Sequence, residues 1–166
     1  VGLELSPLAI QAFFEENNLL YNKKALGPFT LWEAKDRPIT ILEGDIFLLE
    51  PKYLEELKLL KKSPFHFIYD RASLIALPSL IRAKYYKLYK TLMKSKSKAL
   101  LLTIEYNSDN FEGPPFSVPE DEIISSLESE FNIHLLGKEE VKALSPRFLE
   151  SGLKEITQKA YRIEKC

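Results

Sequence analysis

The stretch Ala99-Leu100-Leu101-Leu102-Thr103-Ile104 decides the fold class. It is apolar almost throughout, which is how a strand reads when helices cover both faces of a parallel sheet. Upstream, the same strand-then-helix order recurs. Phe65-His66-Phe67-Ile68-Tyr69 is a continuous apolar run that closes on Asp70-Arg71. A helix opened by Pro78 follows, with Ile81, Tyr85, Leu88 and Leu92 on one face. Before it, Pro38-Ile39-Thr40-Ile41-Leu42 is β-rich and stops at Glu43-Gly44-Asp45. Pro51 then starts a helix whose last turn carries Lys58, Lys61 and Lys62. The chain opens on Val1-Gly2-Leu3-Glu4-Leu5, a strand, followed by Ser6-Pro7, an N-cap with proline at the first helical position. Ile10, Phe13 and Phe14 form the apolar stripe of that helix.

Downstream, a helix after Pro119 carries acids at its N-terminus and Ile123, Ile124, Leu127 and Phe131 inside. Between residues 19 and 40, turns at Leu26-Gly27-Pro28 and Asp36-Arg37-Pro38 flank a short strand, Phe29 to Ala34. The tail holds two strands, Ile133 to Lys138 and Lys154 to Ile163, with little helix between them, which predicts an antiparallel pair at one edge. The whole pattern predicts one α/β domain over residues 1–166, built as a doubly wound, mostly parallel sheet with helices on both faces and an antiparallel C-terminal edge pair.

Composition narrows the function. The 166 residues are 45% apolar and carry 23 basic against 24 acidic side chains, a net charge of −1. No overall positive field is available to hold a polyanion, so nucleic acid is not the expected partner. No apolar run reaches the roughly 18 residues a bilayer-spanning helix needs, and the first residues lack the order of a signal peptide. A cytoplasmic monomer without membrane association is expected. The one cysteine, Cys166, has no cysteine partner for a disulfide or a zinc site, so no metal is expected.

In doubly wound sheets ligands lie beyond the carboxyl ends of the strands, which directs attention to Glu4, Asp45, Asp70-Arg71 and Glu105-Tyr106. A carboxylate such as Glu4 can accept two hydrogen bonds from a ribose diol, although a solvated turn acid is the commoner use of a lone glutamate. Asp45 and Ile46 could meet an adenine amino group and ring, or Asp45 could serve its turn. Arg71 could reach a substrate from the middle of the sheet, or form a surface ion pair of about 0–1 kcal/mol. Gly113-Pro114-Pro115-Phe116-Ser117-Val118-Pro119 joins a permissive glycine, two stiff prolines and an aromatic face. It reads as a pocket wall or as a rigid strand-to-helix connector. His66 and His134 lack metal or triad spacing, and phosphate-loop, nucleophile-elbow and Cys-x-x-Cys motifs are missing from the sequence.

Taken together, Val1-Gly2-Leu3-Glu4-Leu5-Ser6, Gly44-Asp45-Ile46-Phe47, Tyr69-Asp70-Arg71-Ala72-Ser73-Leu74, Gly113 to Pro119 and the ending from Arg147 to Lys165 resemble the thiopurine S-methyltransferase family. The resemblance implies a class I methyltransferase fold that transfers a methyl group from S-adenosylmethionine to the sulfur of small aromatic thiols, or to selenium or tellurium. It implies that Glu4 holds the ribose, that Asp45 and Ile46 line the adenine site, and that Arg71 lies between cofactor and acceptor. Arg147 matches the family's second substrate-side arginine, and Pro114, Pro115 and Phe116 would border the acceptor pocket. Family members begin with a lid segment, a first strand and a glycine-containing loop that precede the region matched by Val1. The chain is therefore expected to be part of a longer protein. Rival expectations are a methyltransferase for halide, oxygen or nitrogen acceptors, a noncatalytic α/β binding domain and, more distantly, a dinucleotide enzyme.

Overall fold

The computed structural model describes residues 1–61, 65–107 and 111–166, of which 58–61 by backbone only. The chain divides into two compact units, residues 1–63 and 64–166.

The first unit contains β1 (Gly2–Glu4), α1 (Pro7–Glu16), β2 (Tyr21–Leu26), β3 (Phe29–Ala34), β4 (Thr40–Glu43) and α2 (Pro51–Lys61). Ser6 caps α1, its Oγ accepting from the Ala9 amide at 3.3 Å, with Pro7 behind it. Ile10 and Phe14 of α1 bury themselves against Trp32, whereas Phe13 remains 37% exposed, so the expected stripe is narrower than three residues. The sheet order is β1-β4-β3-β2. Only β1 and β4 are parallel, in a register that places Glu4 opposite Glu43. β2, absent from the sequence expectation, pairs with β3 as a hairpin whose two-residue turn is Gly27-Pro28. Residues 62–64, including the expected terminal Lys62 of α2, and the side chains of Lys58 and Lys61 lie outside what is described.

The second unit contains β5 (Phe67–Arg71), α3 (Ser79–Leu92), β6 (Lys98–Glu105), α4 (Glu120–Leu127), β7 (Phe131–Val141), α5 (Pro146–Glu150) and β8 (Ile156–Lys165). Its sheet runs β5-β6-β8-β7, with β5 and β6 parallel and the other pairings antiparallel. The antiparallel tail pair is present as β7, which begins at Phe131 (expected inside the preceding helix) and is longer than expected, and β8, shifted toward the C-terminus at the expected length, with a bulge at Leu135/Gly137. β7 is the edge strand and β8 lies inside.

The architecture is thus mixed α/β with two four-stranded sheets, and most described pairings are antiparallel, not the mostly parallel arrangement expected. The cause is connection length. Parallel neighbours need a long crossover, while the two-residue turn between β2 and β3 and the short link to β4 permit only antiparallel pairing.

The inner face of α3 departs most from expectation. Its buried residues are Arg82, Tyr85, Tyr86, Leu88 and Tyr89, while Ile81 and Leu92 are half-buried. Arg82 donates from Nε and Nη2 to the two carboxylate oxygens of Glu122 at 2.7 and 2.6 Å, and from Nη1 to the carbonyls of Leu77 and Ser117. Tyr86 donates to the same carboxylate at 3.0 Å. Burial and the adjoining carboxylates push the phenols of Tyr85, Tyr86 and Tyr89 far up, so all three remain donors at any working pH. Replacing Arg82 by methionine strands Glu122 without its cation. The variant should lose about 3 kcal/mol, read as a lower urea midpoint at unchanged slope.

Candidate functional site

The residues singled out in the sequence fall into two groups, one in each unit. In the first unit, the parallel pairing of β1 with β4 brings Glu4 and the Glu43-Gly44-Asp45 turn to the same carboxyl edge. Glu4 is half-buried, and its Oε1 accepts from the Ser6 amide at 2.8 Å. Asp45 is exposed and caps a single 3-10 turn, Ile46–Leu48, accepting from the Phe47 amide at 2.9 Å. Ile46 beside it is half-buried. The turn role considered for Asp45 is therefore real, and it leaves the carboxylate facing solvent next to an aliphatic side chain.

In the second unit, a cavity of about 640 Å³ opens at the carboxyl ends of β5 and β6. Arg71, Leu102 and Ile104 line it from these strands, and Gln158 and Ala160 from β8. Ile75 closes it from a 3-10 turn, Pro115 from the loop after β6 and Phe148 from α5. Among the described residues Arg71 has no carboxylate partner, so its charge is available to the cavity.

The Gly113–Val118 wall is held at nearly every residue. Arg147 donates from Nη2 to the Gly113 carbonyl and from Nη1 to that of Pro114, both at 3.0 Å. The Tyr106 hydroxyl donates to Pro115 O at 2.8 Å, and the Phe116 amide to Ile75 O at 2.6 Å. Ser117 Oγ accepts from the Tyr106 amide and donates to its carbonyl, while the Val118 amide bonds to Ile104 O. Gly113 has φ +74°, and a Cβ there would sit 2.5 Å from the Phe116 ring, so the position requires glycine. The peptide bonds before Pro114 and Pro115 are both cis. Of the expected acceptor-side residues Arg71 and Pro115 line the cavity, while Pro114, Phe116 and Arg147 do not; Arg147 meets the wall outside the lining, its guanidinium 5.3 Å from the Phe111 ring centroid.

Sequence reading missed three contributors. Phe148 packs with Phe111 and Tyr106 at centroid distances of 4.7 and 6.0 Å, and its neighbour Arg147 was the only pointer to it. Ile75 lies just past the Asp70-Arg71 segment. Lys159 spans Glu105 at 2.6 Å and Glu120 at 3.0 Å, which ties the end of β6 to the start of α4 through β8. Burial works against its ammonium, but the two carboxylates outweigh that and raise it. Among the described residues no helix is long and apolar enough to cross a membrane, and no three His, Cys, Asp or Glu side chains gather as a metal site.

A mixed α/β protein with an arginine-bearing cavity at the carboxyl ends of parallel strands has the organisation of a methyltransferase-like fold. The family model for thiopurine S-methyltransferase matches residues 1–166. The chain is 34% identical over 163 residues to the thiopurine S-methyltransferase of Shewanella piezotolerans, covering 98% of this chain and 70% of that protein. It is 34% identical to the enzyme of the same name from Shewanella woodyi, covering 99% and 71%, and 33% identical to that of Pseudomonas aeruginosa, covering 99% and 71%. This chain belongs to the thiopurine S-methyltransferase family, whose members use S-adenosylmethionine as methyl donor.

The lysine bridge has a pH signature. Its hydrogen bond from Lys159 holds the Glu120 carboxyl below the usual carboxylate range. A carboxyl depressed on folding stabilises above its unfolded value and loses that contribution as pH falls through the folded one. Because Glu120 is about a third exposed, the effect is at most about 1 kcal/mol. Glu120→Gln should therefore be less stable than wild type in urea at pH 7, and the gap should close below about pH 4, near the unfolded glutamate value.

Proposed function

We propose that this chain carries S-adenosylmethionine-dependent methyl transfer to the sulfur, or to selenium or tellurium, of a small thiopurine-like acceptor. The observation that carries the reading is the Arg71-lined cavity at the ends of β5 and β6, in a chain of this family.

The donor supplies an electrophilic methyl on a sulfonium when bound. Glu4 and Asp45 fit its nucleoside end chemically. Glu4 is a charged acceptor pre-oriented by the Ser6 amide and suited to a ribose diol, and Asp45 with Ile46 offers an acceptor and an apolar surface to adenine. Displacement at a methyl group is an in-line event limited largely by holding nucleophile and carbon at about 3–3.5 Å in alignment, so the protein needs stiff walls more than acid–base machinery. Pro114, Pro115 and Phe116, anchored residue by residue, supply such a wall beside the acceptor. Arg71 acts from inside the cavity. A heterocyclic thione reacts best after losing its ring proton, and an arginine that stays charged favours that anion without itself exchanging a proton. Arg147 adds positive charge beside the wall that it clasps. The ring proton leaves to solvent water before the methyl group is transferred, and no proton-abstracting side chain is assigned.

The reading extends to one doubly wound domain acting as a monomer. The single cysteine suits a reducing compartment, in keeping with the cytoplasm.

Isothermal titration of the full-length protein with S-adenosylhomocysteine tests the cofactor half, with saturable binding expected; no heat at millimolar ligand rejects it. For the acceptor half, Arg71→Ala and Arg147→Ala should each lower kcat/KM for a heterocyclic thiol by about tenfold or more, whereas Lys84→Ala, on the exposed side of α3, should leave it near wild type.

A further inference from the structure

Asp70 and Arg71 are consecutive on β5, so their side chains leave the sheet on opposite faces. The register agrees: Asp70 pairs with Leu101, which is fully buried, and Arg71 with Leu102, which lines the cavity. Asp70 is 3% exposed on the α3 side. Its Oδ2 accepts from Tyr85 at 2.9 Å and from Tyr89 at 2.8 Å, two hydroxyls one helical turn apart. Its Oδ1 has no hydrogen-bond partner among the described residues.

Directly after Arg71 the backbone enters the left-handed region at Ala72, φ +69°. A non-glycine residue held there costs about 1–3 kcal/mol and persists only where its surroundings over-determine it. A 3-10 turn, Leu74–Ala76, follows, with Leu74 fully buried and Ile75 both lining the cavity and accepting from the Phe116 amide. Arg71 is therefore the last residue of a strand, followed at once by a strained turn. Its direction depends on what fixes the strand end.

Resting on the methyltransferase reading above, we propose that Asp70, clamped by Tyr85 and Tyr89, is the positioning residue for Arg71. It fixes the strand end on the helix side so that the guanidinium is delivered to the acceptor on the cavity side. A carboxylate suits the task better than an apolar residue because two short hydrogen bonds from rigid phenols define a direction, whereas packing alone tolerates sliding. Burial raises the Asp70 carboxyl, and the hydrogen bonds from Tyr89 and Tyr85 oppose that rise. Because the carboxyl faces α3, it forms no ion pair with Arg71 on the cavity side.

The test compares wild type, Asp70→Asn and the double variant Tyr85→Phe/Tyr89→Phe, each also combined with Arg71→Ala. The Tyr→Phe pair keeps ring packing and lets Asp70 take up a proton, and the single variant Tyr89→Phe, which retains the bond from Tyr85, keeps the test open if neither of the others folds. Expected are an unchanged S-adenosylhomocysteine dissociation constant, a tenfold or greater loss of kcat/KM for the thiol, and no further loss once Arg71 is alanine. Amide hydrogen exchange at residues 72–75 should quicken in the same variants, a readout independent of turnover. Full kcat/KM in both variants, losses that add fully to that of Arg71→Ala, or unaltered exchange would overturn the role of Asp70. A wild type that binds no S-adenosylhomocysteine and methylates no thiol overturns the methyltransferase reading instead.

Discussion

The hydrogen-bonded inner face of α3 is the constraint on which the second unit depends. A helix packed on a sheet normally offers aliphatic side chains, and this one offers an arginine and three tyrosines. The choice carries a penalty, since each polar group leaves water and must find a partner. What it provides is direction. Tyr85 and Tyr89 reach the end of β5 through Asp70, while Arg82 and Tyr86 reach the start of α4 through Glu122 and, from Arg82, the Ser117 carbonyl. Both segments that α3 secures lead into walls of the cavity, at Arg71 on one side and Pro115 on the other. Replacing this face by leucines of similar volume could retain the burial but would remove the angular definition that hydrogen bonds supply.

That emphasis on rigidity agrees with the chemistry. Moving a methyl group from a sulfonium to a sulfur anion asks little of general acids and bases and much of alignment, and an error of about 1 Å can remove orders of magnitude in rate. The Gly113–Val118 segment is secured accordingly, by partners drawn from α5, from the end of β6, from the 3-10 turn after Arg71 and from α3. The Lys159 bridge adds a fifth tie, between the end of β6 and the first turn of α4, and the acidic residues of that turn suit the helix N-terminus.

Much of this was legible in the sequence where local chemistry and tertiary role coincide. Ser6-Pro7 reads as a helix start and is one, because the cap is satisfied within four residues. Ala99 to Ile104 reads as a buried strand and lies within β6, since its apolar character requires cover. Arg71, Pro115 and the carboxyl end of β5 share a cavity, as the rule for α/β sheets anticipates. The failures are equally physical. β2 was invisible because Asn22, Lys23 and Lys24 are exposed and its one buried residue is Leu26, so pairing with β3 alone makes it a strand. The buried face of α3 holds Tyr85 and Leu88 as expected, but an apolar-periodicity search ranks Ile81 and Leu92 above Arg82 and Tyr86, and partners on distant segments reverse that order. The mostly parallel sheet was inferred from strand–helix alternation, while the short links around β3 dictate antiparallel neighbours.

The two arginines show why residue type alone does not define a role. Arg71 and Arg147 are equivalent in charge, and either could face an anionic acceptor. Arg71 ends a strand, has no carboxylate beside it among the described residues, and lines the cavity. Arg147 sits in the first turn of a five-residue helix with two guanidinium nitrogens already donating to carbonyls and its plane near the Phe111 ring. Neutral carbonyls occupy donors without cancelling charge, so Arg147 holds the wall and still projects a positive field along it. A lysine in its place has donors enough but on one rotating nitrogen, without the rigid planar pair that meets successive carbonyls, so the fork geometry joins the mechanical role to the electrostatic one.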